Sequence, residues 1–598
     1  MHTLLGTRFK NVKKIYTLFI ELWDKTGFKK LFKSLKKLSL TEKLVFYFLL
    51  VILVISGTNM AWNYNRSLLV EIPTHGGFLK EGVIGIPRFI NPVLAFSDVD
   101  RDLTGLIYSG LLRYDTNGNL INDLAENYTI SEDGTIYHFT LKPDLKFQDG
   151  QPVTTDDIDF TIQKILDPGI KSPKMANWKG VEIHKINDRE IEFSLSHPYP
   201  PFLSNFTIGI LPKHLWKDLT VEDFTASNIN LNNIKPVGSG PYEYKSISYN
   251  TSGIPSAYTL EAYNNFVLGE PFIKNLSIAF YSNEKKMLEA FKSGEIESFG
   301  GINPQNLSDL TKNKNITVKP IPLSQVFAFF INQNQNHIFT NLEVRQALDQ
   351  SFDRDYAIQK SLAGYAKKLT TPIPSVFLPL NYYVNEEATT SINLEAIKKN
   401  LDKAGWKLNS SGILEKKISK IETQQFAFSI TTLNSSELRA VAEAAKANWE
   451  SIGAKVELKF FESGDLNQEI IRQRQYDILL YGEVVNRDLD LYGFWHSSQR
   501  NYPGYNLSLY ANSKVDKILE DARRMEDDQN RINKYLDFEK EISKDIPAIF
   551  AYSKEYLYIV PNKVKGTIIK NMTVQTERFT NIYKWYTDTD HVWKIFAK

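Results

Sequence analysis

The apolar positions are distributed unevenly, and the longest uncharged run lies near the N-terminus. Leu44 to Ile55 reads LVFYFLLVILVI, and the uncharged sequence continues to Trp62. As a helix with a rise of about 1.5 Å per residue, 44–62 would be about 28 Å long. This nearly matches the hydrocarbon core of a bilayer, which is roughly 30 Å thick. The pattern therefore predicts a membrane-spanning anchor at 44–62.

A basic segment, 1–43, precedes this predicted helix. Its lysines and arginines far outnumber its acids, and its part 26–40 interleaves apolar residues with lysines at helical spacing, which suits an anionic lipid bilayer. Because basic flanks stay in the cytoplasm, we expect a cytoplasmic tail, a single crossing of a bacterial cell membrane and an extracellular or periplasmic remainder. The alternative is a cleaved signal peptide, whose apolar region has a similar length. We predict that 63–77, which ends in EIPTHGG, is a linker.

From residue 78 onward the pattern changes to short strands and capped helices. Residues 136–141 alternate between two faces, as a half-buried strand does. After two turns, Thr154 can cap a helix together with Asp157, three residues later. The buried face of this helix would be Ile158, Ile162, Ile165 and Leu166, and Asp167-Pro168 would end it.

The later half of the chain shows a strand, a helix and a second strand. FAFSITTLN places Phe426, Phe428 and Ile430 on one face, Ser435 or Ser436 can cap the helix, and AKVELKFF follows it. In such a βαβ unit, ligand sites lie at the carboxyl ends of the strands. The glycine-rich VGSGPYEY (237–244) lacks the lysine and the following helix of a phosphate-binding loop, so we interpret it as a tight turn between lobes. We interpret Arg345, on a predicted helix, as part of a structural ion pair.

Composition excludes several classes of protein. The 598 residues are enough for two to four domains, with 42% hydrophobic and 23% charged residues as in ordinary folded proteins. The absence of cysteine excludes disulfides, thiolate metal sites, cysteine nucleophiles and a lipid-modified N-terminal cysteine. The net charge is only +2 and the basic excess lies in the tail, so we expect no nucleic acid partner. The nine histidines are scattered without metal-ligand spacing, and we expect no metal and no other cofactor.

The segment YDILLYGEVVNRDLDLYGFWHSSQ (476–499) concentrates the candidate chemistry. In an extended chain, Asp488 and Asp490 would share a face, and two like charges there would raise one of the two pKa values, as an acid–base pair requires. No second activated group lies at a spacing that completes a catalytic mechanism. Two other interpretations stay open: the acids cap turns in a loop, or one of them accepts hydrogen bonds from a cationic group of a ligand.

A series of ordered motifs resembles the family 5 extracellular solute-binding proteins, which are the oligopeptide- and dipeptide-binding components of ABC transporters. The most specific motif is AENYTISEDGTIYHFTLKPDLKFQDGQPVTTDDI (125–158), and others are INPVLAFSDVDRDLTGLIYSGLLRYD, VGSGPYEY, FKSGEIE, FFINQNQNHIFTNLEVRQALDQSFDR, AGW and DIPAIFAY. The likeness extends over roughly 76–585. It implies an α/β, two-lobed, periplasmic-binding-protein-like fold of the class II type with an extra α+β subdomain. By analogy, lobe I comprises 78–113, 237–324 and 545–598, the subdomain comprises 114–236, and lobe II comprises 325–544.

The resemblance also implies ligand-binding residues. In the family, an aspartate in a W-x-x-D-x-x-x-P-like stretch binds the α-ammonium group of a peptide. The matching stretch here departs from that pattern, because Tyr481 stands near the tryptophan position and no proline follows Asp490. Asp488 is the first candidate for the ammonium ligand, Asp490 the second and Glu483 the third. The remaining predicted ligand contacts are Tyr481 and Trp495 in this stretch, and Asn91 and Pro92 in the loop that borders the cleft from lobe I.

These inferences together predict a membrane-anchored subunit of an ABC importer. It would bind short peptides between its lobes, perform no covalent chemistry, and deliver them to permease subunits whose ATPase is a separate chain. The nearer alternative is the same fold with an oligosaccharide, a metal chelate or haem as ligand. A membrane-anchored sensor ectodomain or hydrolase is the other alternative. A hydrolase would need a complete acid–base set, and a sensor would need a folded cytoplasmic domain.

Overall fold

The computed structural model describes residues 39–226, 231–377, 392–419, 421–525 and 528–596. Most of the predicted basic tail, 1–38, therefore lies outside the described residues. The chain divides into two compact units, Met1–Pro73 with Thr589–Lys598, and Thr74–Asp588. We call these the helix unit and the main unit.

The helix unit contains one long helix and a two-stranded ribbon. Helix α1 (Leu40–Leu68) begins with a capping box formed by Ser39 and Glu42, and none of its residues is buried. Among the described residues it is the one helix long and apolar enough to cross a membrane. Strand β1 (Leu69–Thr74) pairs with β23 (Asp588–Trp593). The segment 63–77 is thus helix and strand rather than the linker that the local sequence predicts, because its partner strand lies at the far end of the chain.

The other strands belong to the main unit. In chain order they are β2 (Gly76–Ile84), β3 (Leu112–Tyr114), β4 (Leu120–Asn122), β5 (Ala125–Ile130), β6 (Ile136–Leu141), β7 (Glu182–Lys185), β8 (Glu190–Ser194), β9 (Tyr242–Tyr249), β10 (Pro255–Ala262), β11 (Ile273–Tyr281), β12 (Ser298–Gly300), β13 (Ile316–Pro322), β14 (Gln325–Ile331), β15 (Ala366–Lys368), β16 (Lys407–Leu408), β17 (Leu414–Lys417), β18 (Thr423–Gln425), β19 (Ala427–Leu433), β20 (Lys455–Phe461), β21 (Ile478–Val484) and β22 (Ala548–Pro561). The largest sheet has the order β20-β19-β21-β14-β22-β12-β2-β11-β10-β9, and β13 and β15 also pair with β22. Smaller sheets are β5-β6-β8-β7, β16-β17-β18 and β3-β4.

Helices of the main unit flank these sheets. The longer ones are α2 (Asp98–Ile107), α3 (Thr155–Leu166), α4 (Glu284–Ser293), α5 (Leu342–Ser351), α6 (Arg354–Leu362), α7 (Leu394–Lys403), α8 (Ser436–Ser451), α9 (Ser513–Arg524) and α10 (Asp528–Asp545). Short helices lie at Met175–Trp178, Lys213–Trp216, Val221–Thr225, Leu231–Ile234, Leu307–Leu310, Ser463–Asp465 and Tyr492–Trp495.

The main unit has separate buried cores on its two sides. Two apolar clusters draw their buried residues from 79–323 and 556–585, and two others draw theirs from 326–552. We call 74–324 with 553–588 region A, and 325–552 region B. The long strand β22 pairs with β12 and β13 in region A and with β14 in region B. One buried cluster joins 114–236 to the rest of region A, and the predicted lobe limits stay a prediction.

The locally encoded elements form as predicted. Strand β6 and helix α3 follow one another, and the Thr154–Asp157 capping box is present, with the Thr154 N–H donating to Asp157 over 2.9 Å. Strands β19 and β20 are parallel neighbours joined by α8, whose cap is Ser435. The βαβ prediction is therefore confirmed.

Two further sequence interpretations need correction. A Cβ atom on Gly238 would lie 2.1 Å from the carbonyl oxygen of Ile107, so the glycine-rich turn does allow a close backbone approach, but within region A rather than between lobes. Arg345 has the structural role expected of it. However, its guanidinium donates to the main-chain carbonyls of Asp545 and Phe339, and it forms no ion pair with the part of the chain that the structure describes.

A buried ion cluster fixes the C-terminal part of region A. The Arg578 guanidinium donates to both carboxylate oxygens of Asp102 on α2, over 2.9 and 2.6 Å, and to Glu81 on β2 over 3.1 Å. The Tyr558 hydroxyl also donates to Glu81, over 3.0 Å. Arg578 and both carboxylates are at most 1% exposed. Burial raises the pKa of Glu81, and the charge of Arg578 opposes that rise. The cluster joins β2 and α2, near the start of the main unit, to β22 and the turn around Arg578, near its end.

Candidate functional site

The acids of the predicted site lie where β21 ends. β21 has β19 as a parallel neighbour, and the segment 485–491 connects it to the short helix Tyr492–Trp495. Asp488 thus follows the carboxyl end of a strand, the usual place for a ligand site in sheets of this kind. Leu489 has a φ of 53°, in the left-handed region, which bends the segment sharply between Asp488 and Asp490. We call the place where this segment of region B meets region A the seam.

Arg487 crosses the seam. Its guanidinium donates to Glu577 over 3.1 and 2.7 Å, and to the side chain and carbonyl of Asn571 over 2.8 and 3.2 Å. It also lies 4.9 Å from the centre of the Tyr114 ring. The side chains of Arg487 and Glu577 are only 11% and 14% exposed, so this is a largely desolvated, two-pronged ion pair. It holds regions A and B together at the edge of the site.

Asp490 also takes part in a contact between region B and region A. Its Oδ2 accepts from Arg523 of α9 over 2.9 Å and from the Tyr199 hydroxyl of region A over 3.3 Å. The Arg523 guanidinium lies between the rings of Tyr199 and Tyr492, 5.0 and 4.5 Å from their centres. The charge of Asp490 is therefore already matched by a cation of this chain.

Asp488 differs from Asp490 in having an unused acceptor. Its Oδ1 is shielded from solvent and accepts no hydrogen bond from the described residues. It lines a cavity of about 220 Å³ in the seam, with walls from both regions that include Asn117, Asn119, Phe377 and Arg531. A buried carboxylate oxygen without a donor costs free energy, which a donating ligand would recover.

The electrostatic surroundings of Asp488 include Asp490, Arg531 and two tyrosines of region A. Burial raises the pKa of the Asp488 carboxyl from 3.8 to about 6, and the charge of Asp490 adds to the rise. The main-chain N–H groups of Asp488 and Asp490 and the charge of Arg531 oppose it. Burial also raises the pKa of both Tyr114 and Tyr199, and the charge of Asp488 contributes to each rise. The carboxyl is thus close enough to two phenol hydroxyls for its charge to act on them, and its own pKa of about 6 lies just below neutrality.

A larger cavity, of about 360 Å³, opens within region A. Its walls include Pro92, Tyr108, Tyr114, Lys174, Trp178 and Glu577. Tyr114 and Glu577 also contact Arg487, so this cavity adjoins the seam. Burial lowers the pKa of the Lys174 ammonium to about 8. The volume, the mainly apolar walls and the few polar groups are typical of a small-molecule site.

The other predicted ligand contacts are distributed differently. Glu483 is buried beside Tyr476 and Tyr481, its pKa is raised well above the ordinary value by burial, and its Oε1 accepts no hydrogen bond from the described residues. Trp495 lies in the core of region B, 5.7 Å from the ring of Phe550. These positions leave the binding roles of Glu483, Tyr481 and Trp495 as predictions.

On the region A side, Pro92 lines the larger cavity. Asn91 is fully buried, its Oδ1 accepts from the Val93 N–H over 2.8 Å, and its carbonyl accepts from two further N–H groups of the loop. Asn91 thus shapes the loop that presents Pro92, while ligand contact by either residue stays a prediction.

The sequence did not reveal the residues that surround Asp488. Tyr199, Tyr114 and Glu577 lie in segments far from 476–499, and no local pattern connects them to it. Arg487 could have been suspected, since it adjoins Asp488 in the segment that holds the candidate acids. Its partners Glu577 and Asn571 could not have been predicted, because they lie far from it in the sequence.

Comparisons with known proteins agree with the fold and with the motifs. The model of the bacterial extracellular solute-binding proteins, family 5 (middle), matches residues 119–504. The oligopeptide-binding protein AppA of Bacillus subtilis is 26% identical over 502 residues, which is 83% of this chain and 89% of AppA. The structure of B. subtilis AppA in complex with a nonapeptide has a TM-score of 0.65 and 25% identity, with 86% of this chain and 99% of AppA covered. DppA from Helicobacter pylori in complex with the peptide STSA has a TM-score of 0.65 and 22% identity, with coverage of 86% and 98%.

The structural neighbours confirm the two-lobed α/β fold, with an apolar helix before it in this chain. The matched family model spans well over half of the sequence. The chain therefore belongs to the family 5 bacterial extracellular solute-binding proteins.

Proposed function

We propose that this chain binds short peptides in the seam and delivers them to the permease of an ABC importer. The observation that carries the proposal is the shielded, unpaired Oδ1 of Asp488 at the carboxyl end of β21. A peptide α-ammonium group is a cation with three donors and would satisfy that acceptor. The peptide ligands of AppA and DppA support the same cargo.

The surroundings of Asp488 suit a peptide better than a bare cation. Tyr114 and Tyr199 offer aromatic surfaces beside the carboxyl, and the cavity of about 360 Å³ next to the seam has room for side chains. Main-chain groups of an extended peptide supply affinity without demanding one sequence. Region A and region B would close on the peptide through Arg487 and Asp490, and the closed form would dock on the permease.

We further propose that α1 anchors the protein in the bacterial cell membrane, with the main unit outside and the basic tail in the cytoplasm. An apolar helix with no buried residue and a lysine-rich flank before it supports this arrangement. The permease and its ATPase would be separate chains. The chain would act by binding alone and not as an enzyme.

Thermal denaturation of the full chain in detergent, with panels of peptides, oligosaccharides and metal chelates, tests the cargo. We expect peptides to raise the Tm, because a ligand at about a hundredfold excess over Kd adds roughly 2.7 kcal/mol to the free energy of unfolding. A rise in Tm with sugars alone or with metal chelates alone would contradict peptide binding.

The affinity for peptides with a free amino end should fall in acid. The pKa of the Asp488 carboxyl is about 6, so the carboxylate that attracts the ammonium group is lost as the pH falls through that value. Isothermal titration calorimetry at pH 7.5 and pH 5 should show a Kd roughly tenfold higher in acid, since one pKa unit corresponds to a factor of ten. The same peptide with an acetylated end should change little.

The free energy of unfolding, measured without added peptide, should change with pH in the direction opposite to the peptide affinity. Because folding raises the pKa of Asp488 from 3.8 to about 6, the stability that its protonated carboxyl contributes is fully present below about pH 4. That stability is lost as the pH rises through 6.

An affinity for free-amine peptides that does not change between pH 7.5 and pH 5 would contradict the role of Asp488.

A further inference from the structure

The C-terminal end of the chain returns to the end of α1 that follows the apolar run. After β23 the chain forms a single turn at Lys594–Phe596. The indole Nε1 of Trp593 donates to the side-chain oxygen of Asn65 on α1, over 2.8 Å. Both residues belong to the helix unit, so the position of the turn along α1 is fixed by a direct contact.

This turn presents large apolar side chains that nothing in the described chain covers. Trp593, Ile595 and Phe596 are 46%, 78% and 70% exposed, and the rings of Trp593 and Phe596 are nearly parallel. Lys594 lies between them in the sequence and is exposed. Aromatic and aliphatic side chains next to a lysine are the composition of segments that lie in the membrane interface.

The depth of the turn follows from its contact with α1. Asn65 is three residues beyond Trp62, where the predicted membrane-spanning segment 44–62 ends, and this is about 4.5 Å along a helix. The headgroup layer on each side of a bilayer is about 5–7 Å thick, from the difference between total and hydrocarbon thickness. Trp593 therefore lies at headgroup level if 44–62 fills the hydrocarbon core. Trp62 and Tyr64 are exposed on α1 at the same level.

We propose that 591–596 is a second membrane contact, an interfacial hook that inserts Trp593, Ile595 and Phe596 into the outer leaflet beside α1. The lipid surface is the partner because the turn adjoins the proposed membrane-spanning helix through the contact of Trp593 with Asn65 and carries the same kind of interfacial residues. The inference rests on the proposed membrane-spanning role of α1.

The chain contains no cysteine, so single labels can be introduced without removing native thiols. Three full-length variants carry an environment-sensitive fluorophore: Ile595→Cys in the hook, Val51→Cys in α1 and Ile421→Cys in the main unit. Ile421 is 99% exposed and serves as the control. Each is reconstituted into vesicles of phosphatidylcholine and phosphatidylglycerol that contain lipids with a nitroxide quencher on the acyl chain.

We expect the label at 595 to lose most of its fluorescence, as the label at 51 does, while the label at 421 keeps its own. An unquenched label at 595 overturns the hook. The label at 51 then separates two outcomes. If the label at 51 is quenched, the proposed anchor stands and only the hook fails. If it is not quenched, the anchor fails as well.

A second variant tests the side chains themselves. Trp593→Ser with Phe596→Ser removes two exposed rings, and folding of the main unit should not depend on them. We expect this change to abolish quenching at 595 and leave quenching at 51 unchanged. Quenching that persists at 595 would show that these side chains do not make the lipid contact and would overturn the proposal.

Discussion

Replacing Asp488 with asparagine will weaken the binding of peptides that have a free amino end far more than the binding of the same peptides with an acetylated end. The substitution keeps the shape of the side chain and removes its charge. Loss of one partner of a buried, hydrogen-bonded charge pair costs about 2–5 kcal/mol, which is at least tenfold in Kd. Isothermal titration calorimetry of both peptide forms against both proteins gives the difference directly.

The neighbouring acids supply matched controls for Asp488. Asp490→Asn should affect both peptide forms alike, because Asp490 is already paired with Arg523 and Tyr199. Glu483→Gln should not discriminate between them, because Glu483 is buried beside Tyr476 and Tyr481. Equal losses for both peptide forms in Asp488→Asn would reject its ammonium role, and discrimination in Asp490→Asn would transfer that role to Asp490.

Replacing Arg578 with methionine will reduce the stability of the main unit more than any change at an exposed ion pair. The substitution leaves Asp102 and Glu81 buried without their cation, and breaking a buried ion pair on one side costs about 3–5 kcal/mol. It also releases the segment around Gln575–Phe579, a short helical turn that carries Glu577 into the seam. Urea denaturation followed by circular dichroism measures the loss of unfolding free energy.

The control for Arg578 is Arg189→Met. Arg189 pairs with Glu126 over 3.0 Å and donates to the Leu141 carbonyl over 3.1 and 2.7 Å, but the side chains of the ion pair are 48% and 50% exposed, so the expected loss is only about 1–2 kcal/mol. A triple variant that combines Arg578→Met with Glu81→Gln and Asp102→Asn should recover part of the loss, because no charge is then left buried. Equal losses for Arg578→Met and Arg189→Met would refute the importance of the cluster.

The sequence revealed those features that a short window encodes. Helix α3 was predictable because its cap, its apolar face and its terminating proline are all near neighbours. The βαβ unit was predictable for the same reason. Strand β1 was not, because LVEIPT becomes a strand only by pairing with β23.

The candidate site, too, was predictable only in the part that one short segment of the sequence encodes. The sequence indicated three acids in one segment but could not distinguish among them, because their difference lies in partners from elsewhere. Arg523 and Tyr199 pair with Asp490, and Glu483 is buried beside Tyr476 and Tyr481. Oδ1 of Asp488 has no donor among the described residues, and Asp488 lines the seam cavity. Such contacts depend on how regions A and B meet, which no periodicity in the sequence records.

The hydrogen bonds of Arg487 to Glu577 and Asn571 have a kinetic consequence. They join regions A and B at the edge of the seam, so a molecule in this arrangement must break them before the seam can open to admit a solute. The rate of association would then be limited by opening rather than by collision, and it would level off as the solute concentration rises.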